Sequence, residues 1–166
     1  MAEFSKIELI PTQVNDLDFV LKIENLSSNT SYIKQWQRDQ HIDSISRSDH
    51  EHWIIKSKCD GKKLGYIISY NLTEHRCGVY IKRIALDTKG QGVGRSAIQL
   101  FLKNTFHNIS TPYIWLCVYP ENIRGQKCYK ACGLSIFDIP LDERERHSQV
   151  AESSPSENLM LMAIYQ

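Results

Sequence analysis

The sequence predicts one domain of the mixed α/β class, in which helices cover both faces of a mixed sheet. Runs rich in β-branched and aromatic residues alternate with segments of helical spacing along the 166 residues. The pair Asp60-Gly61 joins two such runs, which is typical of a β-hairpin. A continuous apolar run over 113–118 follows a helical pattern and indicates a central strand buried on both faces.

The elements follow one another in the predicted order β-α-α-β-β-β-α-β-α-β-β. Strand composition marks seven segments, which are residues 6–12, 52–58, 63–72, 77–87, 113–118, 135–137 and 158–165. Helical spacing marks four segments, which are residues 14–27, 30–40, 93–106 and 120–133. We expect irregular chain over 36–50. We also expect a long polar loop over 138–157, which lies in the acidic C-terminal part of the sequence.

Charge is distributed unevenly, although the net charge is only +1. Residues 61–137 carry 11 basic and 3 acidic side chains, whereas the segments before and after them are both net acidic. A basic middle favours an anionic ligand held centrally, and the low total charge argues against nucleic acid as the partner. The mean hydropathy of −0.38 and the lack of a long apolar run argue against a membrane span.

Cysteine usage and the N-terminus both favour the cytoplasm. The five cysteines are an odd number with no CxxC pair, which argues against a disulfide framework and against a zinc ribbon. Cys128 and Cys132 share one helix face, where small buried residues are the ordinary interpretation and a metal or redox pair is the alternative. The first residues lack the pattern of a signal peptide. We predict no metal site.

The most informative segment is a glycine-rich turn between a strand and a helix. Gly90, Gly92 and Gly94 stand at alternate positions, directly before the helical pattern that starts at Val93. Glycines allow positive φ and close approach of a ligand, and the first amides of a helix have no partner within it. The segment is therefore a candidate phosphate or pyrophosphate site. It lacks the spacing and the lysine of a P-loop, and its GxGxG pattern departs from the dinucleotide-binding GxGxxG.

This segment resembles the acetyl-CoA signature of the GNAT family of N-acetyltransferases, [Arg/Gln]-x-x-Gly-x-[Gly/Ala]. The signature spans residues 89–94, with Lys89 where Arg or Gln is usual. A second segment, 118–134, resembles the family's fifth strand and following helix. Val118, Asn122, Tyr129, Gly133 and Leu134 match its pattern, and Gly125 stands where Ala is usual. Two motifs that are separated as in the family identify it more specifically than either motif does alone.

The resemblance implies a GNAT-like fold over residues 1–166 and acetyl-CoA as co-substrate, with the acetyl group passing directly to a primary amine in a ternary complex. It also implies the residues that bind the cofactor, which are Ile84, Ala85, Leu86, Lys89, Gly90, Gln91, Gly92, Val93, Gly94, Arg95, Asn122 and Tyr129. Amides of the turn would hold the pyrophosphate, and the backbone of 84–86 would pair with the pantetheine arm like an added strand. Lys127 and Lys130 are candidates for the adenosine phosphates.

Two catalytic residues are predicted. Tyr129 is the candidate general acid for the departing thiolate, because a phenol remains protonated at neutral pH. The identity of the general base is left open, because the fourth strand carries no glutamate. Glu24 is the first candidate, with Asp43, His52 and ordered water as alternatives.

The acceptor is predicted to be a primary amine, either of a small molecule such as a polyamine or aminoglycoside or of a protein. The acidic segment 138–157 is expected to flank the acceptor side, and a homodimer is left open. The rival hypothesis is a non-catalytic sensor that binds acyl-CoA without turnover. The missing strand carboxylate favours the sensor, whereas Tyr129 and Asn122 favour the enzyme.

Overall fold

A computed structural model describes residues 6–73, 77–139, 143–152 and 158–166, which form one sheet covered by helices. The strands are β1 (Ile7–Pro11), β2 (His50–Ser57), β3 (Lys63–Tyr70), β4 (Val79–Leu86), β5 (Tyr113–Val118), β6 (Ser135–Ile136) and β7 (Met160–Tyr165). The helices are α1 (Leu17–Glu24), α2 (Ser27–Thr30), α3 (Arg38–Ser46), α4 (Val93–Asn108), α5 (Ile123–Ala131) and α6 (Arg144–Ala151). None of these helices is long and apolar enough to cross a membrane.

The strands are ordered β1-β2-β3-β4-β5-β7-β6 across the sheet. Neighbouring strands pair antiparallel, except for β4 and β5, which pair parallel. The predicted mixed sheet is therefore confirmed. The predicted hairpin between β2 and β3 is also confirmed, with Gly61 at a φ of 72° in the turn.

The parallel pair β4/β5 separates partway along its length. Its register ends at Ile81 opposite Leu116, although β4 continues to Leu86 and remains paired with β3 up to that residue. The β4 register against β3 also shifts by one residue at Lys82, which is a β-bulge. Residues 82–86 therefore present backbone groups on the side of β5 without a strand partner there, and a gap opens in the sheet.

Two hydrophobic layers cover the sheet and leave this gap between them. On one face, Ala97, Ile98 and Phe101 of α4 pack on Ile81 and Leu116. The other face carries Leu17, Val20 and Ile23 of α1 with Ala151 of α6, packed around Tyr66 and Trp115. The gap can thus be reached from two differently built faces.

The sequence prediction misplaced two helical regions because their buried faces are polar. Helix α2 ends at Thr30 and α3 begins at Arg38, so the helix predicted over 30–40 and the irregular chain predicted over 36–50 are both wrong. Helix α3 buries His41 and Ser44 rather than an apolar stripe, and it begins at a capping box between Gln37 and Gln40. Helix α6 lies within the predicted loop and buries His147.

Candidate active site

The glycine turn forms a cradle at the start of α4. Gly90 and Gly92 have φ angles of 85° and 76°, which strongly favour glycine, and Gly92 is the N-cap of the helix. A Cβ added at either residue would meet no heavy atom within 4 Å, so this face of the turn opens onto empty space. The first amides of α4 have no acceptor within the helix, which is the arrangement that an anion site uses.

A cavity of about 690 Å³ fills the gap between β4 and β5. One end, which we call the turn end, is lined by the glycine turn together with Lys89, Arg95, Arg124 and Lys127. The other end, which we call the aromatic end, is lined by Trp36, Gln40, Tyr80, Lys82, Arg83, Ala151, Glu152 and Leu159. Ile84, Ala85 and Leu86 line the passage between the two ends.

The turn end is strongly cationic. Four cationic side chains line it, and no described residue with a carboxylate lines the same end. Burial and the neighbouring Arg124 lower the pKa of Lys89, whose ammonium donates to the carbonyl of Ser28. Such a set, together with the helix start, matches a ligand that carries several phosphate charges, so the residues fit the phosphates of acetyl-CoA.

Most residues predicted to bind the cofactor line this cavity. They are Ile84, Ala85, Leu86, Lys89, Gly90, Gly92, Gly94, Arg95, Asn122 and Tyr129. Gln91 and Val93 are not in its lining, and neither is Lys130, whereas Lys127 is. Sequence reasoning missed Tyr32, Trp36, Lys82 and Arg83, because no motif marks them. The fold brings in Tyr32 and Trp36 from a distant segment, whereas Lys82 and Arg83 directly precede the predicted residues of β4.

Asn122 acts on the chain itself as the N-cap of α5. Its Oδ1 accepts a hydrogen bond from the amide of Gly125 at 2.9 Å. A Cβ at Gly125 would lie 2.8 Å from the Asn122 side-chain nitrogen. In this chain the capping side chain of Asn122 therefore leaves little room for the alanine that the family pattern has at this position.

Tyr129 is half-buried on α5 and lines the cavity. Burial raises its pKa, and the neighbouring Cys128 and Cys132 raise it further. The phenol therefore remains protonated at neutral pH, which suits a proton donor. Cys128 and Cys132 lie side by side on the same helix, and the described residues contain no group of three or more metal-ligating side chains.

Glu24 lies at the centre of a buried polar cluster behind the aromatic end. Its carboxylate is 0% exposed and accepts from Arg83 at 2.5 Å, from Tyr66 at 2.6 Å and from the Trp36 amide at 2.9 Å. His41 lies 3.3 Å from the same carboxylate. Burial raises the Glu24 pKa, but His41, Arg83, Tyr66 and the Trp36 amide outweigh it and lower the pKa to about 2.

These contacts do not suit the role of base that the sequence suggested for Glu24. A carboxylate with a pKa of about 2 holds a proton poorly at neutral pH, and Glu24 is not in the cavity lining. His52 also lies outside the lining, and burial and His41 lower its pKa to about 3. Asp43 is exposed on α3 and faces Arg47. Glu24 instead fixes Arg83, whose guanidinium lies 4.5 Å from the centre of the Trp36 ring.

Lys82 and Glu152 form an ion pair at the aromatic end. The Lys82 ammonium lies 3.1 Å from the Glu152 carboxylate and donates to the Ala151 carbonyl at 2.7 Å. It also lies over the Tyr70 ring at 5.6 Å, and burial lowers its pKa. The acidic segment 138–157 thus reaches the cavity at Ala151 and Glu152, while Asp142 and Glu157 lie outside the described residues.

Comparison with known proteins agrees with this geometry. The model of the Acetyltransferase (GNAT) family matches residues 17–134. A solved spermidine N-acetyltransferase from Vibrio cholerae, in complex with CoA and spermine, has a TM-score of 0.77 at 18% identity and covers 98% of this chain and 96% of its own. The aminoglycoside acetyltransferase AAC(6')-Ib, in complex with coenzyme A and kanamycin, has a TM-score of 0.76 at 16% identity, with coverages of 96% and 95%.

A domain from Methanocaldococcus jannaschii has a TM-score of 0.74 at 18% identity and covers 97% of this chain and 99% of its own. No curated protein matches the sequence. At these identities the solved structures establish the shared fold.

Proposed function

Because this chain belongs to the acetyltransferase (GNAT) family, we propose that it moves an acetyl group from acetyl-CoA to a small primary amine by direct attack in a ternary complex. One observation carries the proposal: the cavity between β4 and β5 runs from a cationic helix start on one face of the sheet to an aromatic end on the opposite face. Two substrates could therefore approach the gap from opposite faces of the sheet.

The turn end and the β4 edge would hold the cofactor. Amides of the glycine turn and the side chains of Arg95 and Arg124, which line the cavity there, would bind its phosphates. The backbone of Ile84–Leu86 would pair with the pantetheine arm, since β5 has left that side of β4. Bound acetyl-CoA supplies the activated acyl group, and an amide of β4 directed into the gap would polarise its carbonyl.

Tyr129 would donate the proton that the departing thiolate needs. It lies on α5, across the gap from the β4 edge, and burial keeps its phenol protonated. The negative charge moves from the thiolate to the phenol oxygen in this step, and a proton that returns through water removes it.

The proposed acceptor is a small amine that enters from the aromatic end. The spermidine and aminoglycoside enzymes share this fold with this chain, which favours a small-molecule acceptor over a protein amine. Trp36 and Tyr80 line that end, where aromatic side chains could contact the carbon skeleton of such an amine. A cytoplasmic location and a homodimer stay predictions of the sequence.

Release of free thiol from acetyl-CoA with a panel of amines tests the proposal. Turnover with at least one amine supports the enzyme, whereas cofactor binding without turnover on any amine supports the sensor. Gly92→Asp and Gly92→Asn form a matched pair, since both side chains tolerate positive φ and they differ by one negative charge. We expect Gly92→Asp to bind CoA roughly 10–100-fold more weakly than Gly92→Asn, because the carboxylate would face the phosphates.

A further inference from the structure

We propose that Glu152 takes the proton from the acceptor ammonium, and that Lys82 is the positioning residue that holds Glu152 for this step. The inference rests on the proposed function and supplies the base that the fourth strand lacks. It follows from where the carboxylates of the described residues lie, from how Glu152 is held, and from its access to solvent.

Glu152 is the one carboxylate among the described residues that line the cavity. It lies at the aromatic end, across the β4 edge from the turn that would hold the cofactor. Glu24, the other acid in this region, is 0% exposed and occupied by Arg83, Tyr66 and Trp36. An ammonium that enters from the aromatic end therefore meets Glu152 as its acidic partner within the described cavity.

Lys82 connects Glu152 to the bulge of β4. Its side chain is only 13% exposed, and its ammonium bridges the Ala151 carbonyl and the Glu152 carboxylate, at 2.7 and 3.1 Å. This fixes the C-terminal end of α6 against the strand that would also bind the pantetheine arm. Tyr70 of β3 and His50 of β2 also face this pair. Arg83, Arg47, Asp43 and Asp49 are the other charged groups that act on these two side chains.

Glu152 ends α6 as its C-cap, with a φ of 53° in the left-handed region that helix C-termini commonly use. Its amide donates to the carbonyls of Gln149 and Ser148, so the end of the helix fixes the backbone that carries the carboxylate. The side chain is nevertheless 56% exposed, so a proton that it accepts can pass on to water.

The proposed step balances in protons and bonds. The ammonium of the acceptor gives one proton to the Glu152 carboxylate and becomes a neutral amine. The amine nitrogen forms a bond to the acetyl carbon, and the bond from that carbon to sulfur breaks. The nitrogen then loses a second proton to water, the thiolate gains one from Tyr129, and Tyr129 recovers its own from that water. Glu152 releases its proton to solvent, so the products are the acetamide, CoA thiol and one proton.

Chemical rescue tests the base directly. Glu152→Gly keeps the backbone in a conformation that glycine prefers, which offsets part of the loss of the ion pair with Lys82, so we expect a melting temperature close to that of the wild type. Its kcat/KM for an amine that the wild type acetylates should fall roughly 10²–10⁴-fold and rise again with added formate, a small carboxylate that fits the vacated space. Glu152→Gln should show the same fall in kcat/KM. Glu145→Gln, which changes an exposed glutamate on the same helix, should retain wild-type activity.

Lys82→Met separates positioning from packing. We expect kcat to fall while the Kd for CoA is unchanged, and Lys82→Arg to restore much of the activity. The double variant Lys82→Met/Glu152→Gln should be no slower than Glu152→Gln alone, because Lys82 acts through Glu152. Losses that multiply in the double variant would overturn the positioning role.

The inference is overturned if Glu152→Gln retains activity within about twofold of the wild type, or if formate leaves Glu152→Gly unchanged. Either result would leave the proposed acetyl transfer standing, because the wild type would still turn over. A wild type that releases no thiol with any amine would overturn the proposed function, and this inference with it.

Discussion

Replacing Glu24 by glutamine tests the buried cluster behind the aromatic end. The substitution keeps the size of the side chain but removes the negative charge that faces Arg83 at 2.5 Å. Arg83 is 5% exposed in its side chain, so its charge would remain buried without its carboxylate partner. The variant therefore isolates the electrostatic contribution of the pair.

The expected loss of stability is large. Removing one partner of a buried ion pair costs about 3–5 kcal/mol, mostly because the other charge stays desolvated. The pKa gives a similar figure, since a shift from 4.5 to about 2 corresponds to roughly 3 kcal/mol. For a chain of this size, each kcal/mol lowers the melting temperature by about 2–4 °C, so we expect a decrease of about 6–20 °C.

Urea unfolding followed by tryptophan fluorescence measures this loss. Asp18→Asn is the matched control, because it breaks an exposed pair with Arg38 at 2.8 Å whose carboxylate is 87% exposed, and it should cost less than about 1 kcal/mol. Glu24→Gln/Arg83→Met should be more stable than Glu24→Gln alone, since no unpaired charge remains. Equal losses in Glu24→Gln and Asp18→Asn would refute the reasoning.

The same carboxylate predicts a pH dependence. The pKa of Glu24 is lower in the folded chain than in the unfolded chain, so its contribution is present above pH 4.5 and is lost as the pH falls towards 2. Glu24→Gln should therefore show a smaller decrease in unfolding free energy over this window than the wild type. A parallel decrease in both proteins would contradict the assignment.

Three further predictions concern the site and its supports. Tyr129→Phe should lower kcat roughly 10²–10⁴-fold with an unchanged Kd for CoA, measured by thiol release and calorimetry, and an unchanged kcat would show that Tyr129 only packs. The buried neutral His52, with a pKa of about 3, should make the wild type lose stability in urea as the pH falls below about 6.5, and His52→Gln should reduce this slope. Gly125→Ala should destabilise the wild type, because the new Cβ would clash with the Asn122 side chain that caps α5. In the Asn122→Ala background the clash is absent, so the same substitution should stabilise the protein by about 0.5–1 kcal/mol. Destabilisation in both backgrounds would contradict the capping role of Asn122.

The cofactor half of the site could be predicted because its signals are local. The strand, the glycine turn and the helix start are adjacent in sequence, and positive φ at Gly90 and Gly92 follows from glycine itself. The two motifs also lie on consecutive βα units around one gap. Residue type and order marked the turn as a candidate anion site, and the family resemblance of the two motifs then located most of the predicted residues that line the turn end.

The aromatic end could not be predicted because its residues come together only in the folded chain. Helices α3 and α6 bury histidines, so neither shows an apolar stripe. Glu24 looks like an available acid in sequence, but Arg83 lies 59 residues further along and occupies it. Lys82 and Glu152 are likewise paired by the docking of α6 on β4, which no spacing in the sequence reveals.

Initial-rate kinetics with both substrates varied test the central claim most directly, since that claim is direct transfer inside one cavity. With an amine that the protein acetylates, double-reciprocal plots at several acetyl-CoA concentrations should give intersecting lines, because both substrates are bound when the acetyl group moves. Incubation with acetyl-CoA alone should leave the intact mass of the protein unchanged. Parallel lines together with an acetylated protein would show that the acetyl group first passes to an enzyme side chain, and would contradict the account.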